Sequence, residues 1–268
     1  MKYYVIADPH GFLKETQKAL EDAGFFAETA PKRLNVCGDV LDRGEEAVAL
    51  TDFLMTVKRR GELIYIKGNH EDLMMQCMQE IAGRGAYEIA CGMSHHYSNG
   101  TWETLLQLAC MSAKRAVDDP YEFLRRVRNS TYYRELMPSM VSYYETKNYI
   151  FCHGWIPTAC KGYGSSATYE YIDGWRENAT IDEWKRSRWL NGISLACEHG
   201  ILEEGKTVVC GHFHTSYGHS RIRRACTEWE SDAIFDPFYA DGIIALDACT
   251  AHSGKVNCIV IEDEEIFC

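Results

Sequence analysis

Five short polar clusters contain the aspartate, histidine and asparagine residues of this chain that are candidates for metal binding or catalysis. Each cluster directly follows a short apolar run. The clusters are Asp8-Pro9-His10-Gly11, Gly38-Asp39-Val40-Leu41-Asp42-Arg43-Gly44, Gly68-Asn69-His70-Glu71, His153-Gly154 and Gly211-His212-Phe213-His214. Carboxylate, imidazole and amide groups are ligands for hard and borderline divalent metals, and no thiolate is among them. The clusters therefore predict a metal site with oxygen and nitrogen donors, and not a structural zinc site of the cysteine type.

The apolar runs before the clusters predict β-strands, and the amphipathic segments between them predict helices. Strands are predicted at 2–7, 34–37, 63–66, 141–144, 149–152, 207–210, 242–246 and 256–261, and helices at 12–23, 45–60 and 71–82. Alternating strands and helices with short links are typical of right-handed crossovers and a largely parallel sheet. Because ligands bind beyond the carboxyl ends of the strands in such a sheet, the five clusters are expected to meet at one edge.

Two regions interrupt this alternation. Helical patterns within residues 85–137 predict a helical insertion, and residues 156–205 are predicted to form an irregular cap. One short helix in the cap is indicated by the capping-box sequence Thr180-Ile181-Asp182-Glu183. Since no repeat or low-complexity linker is visible, residues 1–268 are predicted to form one domain with two insertions.

The composition narrows the possible functions. The 268 residues carry a formal net charge of −11, with 46% hydrophobic and 25% charged residues, which is ordinary for a globular protein. The acidic balance argues against duplex nucleic acid as a partner. No apolar run is long enough for a membrane span, and the first residues do not resemble a signal peptide. The twelve cysteines form no C-x-x-C pair and are interpreted as reduced thiols of a cytoplasmic protein.

The motifs D-x-H-G, G-D-x-x-D-R-G, G-N-H-E, H-G and G-H-x-H, in this order, resemble those of the calcineurin-like metallophosphoesterase superfamily. Two of them resemble its phosphoprotein phosphatase branch, which includes bacterial and phage serine/threonine phosphatases and dinucleoside tetraphosphatases. The motifs extend from Asp8 to His214, and Leu246-Asp247 is a weaker match further along the chain. The resemblance implies an α/β fold, namely a metallophosphoesterase-type β-sandwich flanked by helices and carrying helical insertions.

The resemblance also implies a centre of two divalent metal ions, for which manganese, iron and zinc all suit the ligands. The first ion would be bound by Asp8, His10, Asp39 and, through the second histidine of G-H-x-H, His214. The second ion would be bound by Asp39, Asn69, His153 and His212, so that Asp39 bridges the two. With only two carboxylates and a bridging hydroxide to offset four positive charges, the centre would keep a positive charge that attracts phosphate.

Further residues would act on the substrate. Asp42 and His70 would form an acid dyad, in which Asp42 holds the imidazole and His70 protonates the leaving group while the bridging hydroxide attacks phosphorus in line. Arg43 would hold the phosphate with its planar donor fork, and Asn69 would also contact the substrate. A second phosphate-binding arginine is expected from the cap, and Arg188 is the residue we assign to it.

Two positions depart from the pattern of the phosphoprotein phosphatase branch. Lys67 stands before Gly68 where arginine is common. Its ammonium group is a point charge, whereas an arginine guanidinium could bind two phosphate oxygens at once. Trp155 follows His153-Gly154 where a second glycine is frequent, which would reshape one wall of the cleft.

The sequence favours one function, and two alternatives are kept beside it. The favoured function is that of a serine/threonine phosphoprotein phosphatase, and the first alternative is a hydrolase of dinucleoside polyphosphates or nucleotides. The second alternative is a non-catalytic binding protein that keeps the fold as a scaffold. Both enzymatic functions require a phosphorylated substrate, and none of the three calls for duplex nucleic acid or a membrane.

Overall fold

The computed structural model describes residues 1–162 and 167–266, and two β-sheets form its centre. The strands are β1 (Lys2–Ile6), β2 (Lys32–Cys37), β3 (Leu63–Ile66), β4 (Tyr144–Glu145), β5 (Tyr149–Phe151), β6 (Thr158–Lys161), β7 (Thr168–Tyr171), β8 (Thr207–Cys210), β9 (Phe238–Ala240), β10 (Ile243–Ala245) and β11 (Cys258–Glu262). The first sheet has the order β11-β1-β2-β3, the second has the order β4-β5-β8-β10-β9, and β6 pairs with β7.

The inner strands of both sheets run parallel. In the first sheet β1, β2 and β3 are parallel and β11 is antiparallel to β1. In the second sheet β5, β8 and β10 are parallel, with β4 and β9 antiparallel at the edges. The carboxyl ends of five strands that precede polar clusters therefore come from two sheets, three from the first and two from the second.

Alternate residues of β1 show how the two sheets pack. Tyr3 and Val5 lie between the sheets, in a buried cluster that also contains Phe151 and Val209. Tyr4, which alternates with them, packs instead on the outer layer of the first sheet. Successive side chains of a strand point to opposite faces, so a strand buried on both sides is apolar throughout. The predicted α/β sandwich is confirmed.

Helices cover both outer faces of the sandwich. They are α1 (Leu13–Asp22), α2 (Ala47–Arg59), α3 (Asn69–Arg84), α4 (Tyr87–Ala90), α5 (His95–Ser98), α6 (Thr101–Ala109), α7 (Ala113–Asp118), α8 (Pro120–Asn129), α9 (Trp175–Asn178), α10 (Ile181–Ser187), α11 (Gly192–Cys197), α12 (Thr215–Tyr217) and α13 (Thr250–Ser253). Helical turns of other pitch lie at Tyr132–Leu136, Met137–Ser139 and Gly218–Ile222. Helices α4 to α8 lie within the predicted helical insertion, and α6 and α8 contribute Trp102 and Phe123 to the core of the first sheet.

The structure differs from the sequence expectation in two segments. The strand predicted at 141–144 is only Tyr144–Glu145, because Val141 instead bonds to the first sheet: its amide donates to the Tyr65 carbonyl, and its carbonyl accepts from the Lys67 amide. The cap at 156–205 is more regular than predicted, since it contains the β6–β7 hairpin and three short helices. Interlocking aromatic rings such as Trp175 and Trp184 hold these short elements, and such contacts leave no periodic signal in the sequence.

The part of the chain that the structure describes has no helix long and apolar enough to cross a membrane. Its cysteines are all free, and Cys268 lies outside the described residues.

We expect the inter-sheet cluster to contribute strongly to stability. Phe151 is fully buried there. Phe151→Ala should lower the free energy of unfolding by about 3–5 kcal/mol, because truncation removes buried apolar surface and leaves a cavity. Urea unfolding followed by tryptophan fluorescence measures this. Tyr121→Ala is the matched control, since the Tyr121 side chain is 79% exposed, and a loss as large there would contradict the assignment.

Candidate metal centre

Backbone hydrogen bonds join the polar loops at the carboxyl ends of the strands. The Asp8 amide donates to the Gly38 carbonyl (3.3 Å), and the His10 amide donates to the Asp39 carbonyl (3.1 Å). In the second sheet the Gly211 amide donates to the His153 carbonyl (2.8 Å). The loops after β1, β2, β5 and β8 are therefore fastened to their neighbours, and they carry clusters from distant parts of the sequence into one site.

Asp39 lies at the centre of the site. Its carboxylate is 3.3 Å from His153 Nε2, 3.9 Å from His10 Nε2 and 3.8 Å from His70 Nε2. Among residues 1–162 and 167–266, two groups of donor atoms are close enough to hold a metal ion, and both contain Asp39. They are His10, Asp39 and His70, and Asp39, His153 and His212. An oxygen donor shared by two such groups suits a bridging ligand.

Asp8 and Asn69 lie in the same site. The Asp8 carboxylate accepts the backbone N–H of His212 at 2.9 and 3.1 Å, which ties the first cluster to the last. The Asn69 Oδ1 atom is 2.8 Å from His153 Nε2. His70 stands in the first donor group where the sequence analysis expects Asp8, so the structure brings the ligand and acid residues close together.

His214 has its contacts outside the two donor groups. Its Nε2 is 3.0 Å from the Glu228 carboxylate, and its ring packs on Trp229 at a centroid distance of 4.3 Å. Neither metal-sized donor group among the described residues includes it. The side chain that the G-H-x-H motif assigns to the first ion therefore has a different partner in this structure.

Backbone carbonyls orient the imidazoles that face Asp39. His10 Nδ1 is 3.0 Å from the Leu41 carbonyl, and His153 Nδ1 is 2.8 Å from the Cys37 carbonyl. Since a carbonyl only accepts, each Nδ1 carries a proton. The Nε2 of His10 accepts from Arg43, so it presents its lone pair to the site. Burial opposes protonation of His153, but the charge of Asp39 outweighs it and raises the pKa of His153 to about 10, so its Nε2 donates to the acceptors around it until a metal replaces that proton. A metal-binding histidine is held in this way by a hydrogen bond at its other nitrogen.

The electrostatics of the site also suit cations. Burial raises the pKa of Asp8 well above its ordinary value, and the neighbouring Asp247 carboxylate adds to the effect. Burial opposes ionisation of Asp39 too, but His153 and His70 outweigh it and hold the pKa of Asp39 well below its usual range. Burial lowers the pKa of His212 to about 3, aided by the charge of His153. Buried carboxylates beside an uncharged imidazole are a donor set that a divalent ion would stabilise, so these residues fit metal binding.

Four of the predicted ligands have left-handed backbone conformations. The φ angles are 52° at Asp8, 48° at His10, 52° at Asp39 and 66° at His212. Such conformations cost about 1–3 kcal/mol each in residues other than glycine and concentrate at functional sites. Two glycines give the carboxylates room: a Cβ at Gly68 or Gly211 would lie about 2 Å from the Asp39 or Asp8 carboxylate.

Glu71 holds the Asp39 loop to the Asn69 loop. Its buried carboxylate accepts from the backbone amides of Gly68 (2.6 Å), Asp39 (3.2 Å) and Val40 (3.1 Å). The hydroxyl of Tyr65 (3.0 Å) also donates to it, as does that of Tyr132. From its place in the G-N-H-E motif, Glu71 is interpreted as a helix-start residue or a carboxylate that supports the ligands, and these contacts agree with the second interpretation.

His70 and Asp42 form the predicted pair. His70 Nδ1 is 2.7 Å from the Asp42 carboxylate. Burial opposes protonation of His70, but the charges of Asp39 and Asp42 outweigh it and raise its pKa. Arg43 lies beside the pair, with guanidinium nitrogens 3.1 Å from His70 Nε2 and 2.7 Å from His10 Nε2. A buried histidine–aspartate pair and a guanidinium group thus lie next to the predicted metal ligands.

Arg188 reaches the edge of the site but is paired with a carboxylate. Its Nε and one terminal nitrogen bind Asp72 at 2.8 and 2.6 Å, and the side chain is 7% exposed. Lys67 binds the same carboxylate at 2.5 Å. The cap residue before Arg188 is fixed close to the H-G cluster, since the Trp155 amide donates to the Ser187 carbonyl (3.0 Å). Asp72 lies outside the motifs. Its carboxylate therefore binds two cationic side chains, those of Arg188 and Lys67, beside the site.

Comparison with known proteins gives one informative match. The family model described as "Calcineurin-like phosphoesterase" matches residues 1–252. No curated protein sequence matches the chain. Similar solved structures include a candidate diadenosine tetraphosphatase, with 12% identity and a TM-score of 0.48 over 97% of this chain and 89% of that one.

Two further solved structures are similar. A cold-active protein-tyrosine phosphatase from a psychrophilic Shewanella species has 13% identity and a TM-score of 0.48, covering 97% of this chain and 75% of that one. A protein serine/threonine phosphatase from Saccharomyces cerevisiae has 12% identity and a TM-score of 0.47, covering 100% and 81%.

Glu71→Gln tests whether this carboxylate holds the loops together. Replacing one oxygen by an NH₂ group sets donor against donor, so the free energy of unfolding should fall by about 1–3 kcal/mol. Chemical unfolding with and without manganese measures the change, and the stabilisation by manganese should shrink as well. Glu21→Gln, on the exposed side of α1, is the matched control. Unchanged stability in Glu71→Gln would show that the loops hold together without this charge.

Proposed function

The chain belongs to the calcineurin-like phosphoesterase family and is a metal-dependent phosphoesterase, and from this premise we propose that it hydrolyses phosphomonoesters of serine and threonine in proteins. One observation carries the proposal. The Asp39-centred donor groups stand directly beside the His70–Asp42 pair, so metal ligands and a proton donor share one site. The motif forms G-D-x-x-D-R-G and G-N-H-E support the serine/threonine assignment.

Apart from His214, which pairs with Glu228, we assign the metal ligands as predicted from the sequence, with two divalent ions of manganese, iron or zinc bridged by Asp39. Asp8 and His10 would complete the first site. Asn69, His153 and His212 would complete the second, and Asn69 would also face the substrate. When bound, such ions supply positive charge for a phosphoryl group and bring the ionisation of water close to neutral pH.

His70 is proposed as the general acid. A serine or threonine alkoxide is a poor leaving group, so breaking its bond to phosphorus requires a proton at the ester oxygen. The Nδ1 of His70 is held by Asp42, and Nε2 faces the site beside Arg43. Because the neighbouring carboxylates raise the pKa of His70, its charged, proton-donating form is favoured.

Arg43 and Arg188 are proposed to hold the phosphate. The Arg43 guanidinium lies between His10 and His70, and its planar fork can bind two phosphate oxygens at once. Arg188 is held by Asp72 at the edge of the site, where it adds a second donor fork. Lys67 shares that carboxylate, so the edge keeps one uncompensated positive charge for an anionic substrate.

A matched substrate comparison tests the proposed substrate class. With manganese, the protein should hydrolyse p-nitrophenyl phosphate, and a phosphoserine peptide should give a higher kcat/KM than diadenosine tetraphosphate. A preference for the dinucleotide would contradict the phosphoprotein assignment while leaving the metal chemistry intact. Absence of turnover on all three substrates would favour the non-catalytic scaffold.

His70→Asn tests the acid assignment. The variant should retain its metal but lose about 10²–10⁴-fold in kcat on a phosphoserine peptide, because the alkoxide then leaves without a proton. The loss on p-nitrophenyl phosphate should be much smaller, since p-nitrophenolate leaves readily. Elemental analysis checks the metal content, and His199→Asn, at an exposed histidine, is the control. An equal loss on both substrates would contradict the role of His70 as an acid.

A further inference from the structure

A hydroxyl from the helical insertion binds the Asp42 carboxylate. The Oγ1 atom of Thr101 donates to Asp42 Oδ2 at 2.7 Å, the same oxygen that lies 2.7 Å from His70 Nδ1. Thr101 is the first residue of α6 and is completely buried. One carboxylate oxygen is therefore held from two sides, by the histidine of the acid dyad and by a residue 59 positions further along the chain.

The same end of α6 also binds the Asp42 backbone. The Oγ1 atom of Thr104, one turn after Thr101, accepts the Asp42 amide at 3.0 Å. Thr104 is fully buried as well. The first turn of α6 thus contacts both the side chain and the main chain of Asp42.

The backbone that α6 supports is in an unfavourable conformation. Asp42 and Arg43 have φ angles of 76° and 66°, and two successive residues other than glycine in this region are costly. Gly100, directly before α6, lies against this turn, since a Cβ on it would be 2.3 Å from the Arg43 amide nitrogen. A strained turn persists only where the surrounding structure fixes its conformation. Here the contacts of α6 and Gly100 fix the Asp42-Arg43 turn.

The other carboxylate oxygen offers no substitute for Thr101. Asp42 Oδ1 is buried and has no hydrogen-bond partner among residues 1–162 and 167–266. Without the Thr101 hydroxyl, His70 would be the only side-chain donor to this carboxylate, and the carboxylate could rotate. A rotated carboxylate would release the imidazole from the orientation that turns Nε2 toward the site.

We propose that Thr101 is a positioning residue of the acid dyad, and that holding the Asp42-Arg43 turn through α6 is a role of the helical insertion. The inference rests on the proposed function. In that reaction water adds OH to phosphorus, the ester P–O bond breaks, and the leaving oxygen takes a proton from His70, which the remaining proton of the water replaces. Asp42 exchanges no proton in these steps, and Thr101 keeps its carboxylate in place.

Thr101→Val tests this inference, because valine has nearly the shape of threonine but no hydroxyl. With manganese, kcat on a phosphoserine peptide should fall about 10- to 100-fold, the effect of losing one hydrogen bond to a charged group. KM should stay unchanged, and the loss on p-nitrophenyl phosphate should be much smaller. Thr101→Ser should restore most of the rate. Metal content by elemental analysis and the unfolding midpoint give two readouts that do not depend on turnover. Metal content should stay near the wild-type value, whereas the midpoint should fall modestly, because a buried carboxylate loses a hydrogen bond, and Thr101→Ser should restore it.

Thr51→Val is the matched control. Thr51 is buried in α2, and its hydroxyl bonds only to the Ala47 carbonyl (2.8 Å), so this variant should keep full activity on both substrates. Should Thr101→Val not fold, Thr101→Ala removes the same hydroxyl without placing a methyl group against the carboxylate, and the same loss is expected.

Three outcomes would overturn the inference. Hydroxyl-free variants that turn over the phosphoserine peptide at the wild-type rate would show that Thr101 does not position the dyad. An equal loss on both substrates, or no rescue by Thr101→Ser, would indicate a purely structural role. A wild-type protein without phosphoesterase activity would overturn the proposed function and this inference together, whereas an active wild type with unaffected variants overturns this inference alone.

Discussion

The burial of one carboxylate charge is the constraint on which the site depends. Asp39 is almost completely buried, and a charge in such a place is costly unless it is paired and hydrogen-bonded. The backbone amide of His70 donates to it at 2.9 Å, and His153 lies 3.3 Å away. Gly68 leaves room for the carboxylate, and Glu71 holds the Asp39 amide. Residues from three loops are therefore arranged around a single negative charge, and this arrangement suits the binding of divalent cations.

The sandwich explains how this arrangement is built. Parallel inner strands place their carboxyl ends at one edge of each sheet, and face-to-face packing brings the two edges together. His153 and His212 come from the second sheet, whereas Asp8, Asp39 and Asn69 come from the first. The hydrogen bond from the His212 amide to the Asp8 carboxylate joins the sheets at the site itself. The inter-sheet core and the chemistry are therefore linked, since a shift of one sheet would separate the proposed ligands.

Much of this could be predicted from the sequence because the polar clusters follow apolar strands, and strand ends are where an α/β fold binds ligands. The sequence is less informative about residues whose role depends on a partner far away in the chain. Nothing near Asp72 in the sequence indicates that it binds Arg188, 116 positions away, and nothing near Thr101 indicates that it binds Asp42. The pairing of His214 with Glu228 depends on the segment after Ile222, which has no helix or strand pattern until Phe238. Tertiary contacts of this kind leave no periodicity to detect.

Anomalous diffraction from crystals of the manganese-loaded protein tests the central claim most directly, because it locates metal ions without reference to activity. Two peaks are expected on either side of the Asp39 carboxylate, one beside Asp8 and His10 and the other beside Asn69, His153 and His212. Peaks elsewhere, or a single ion that Asp39 does not contact, would contradict the claim.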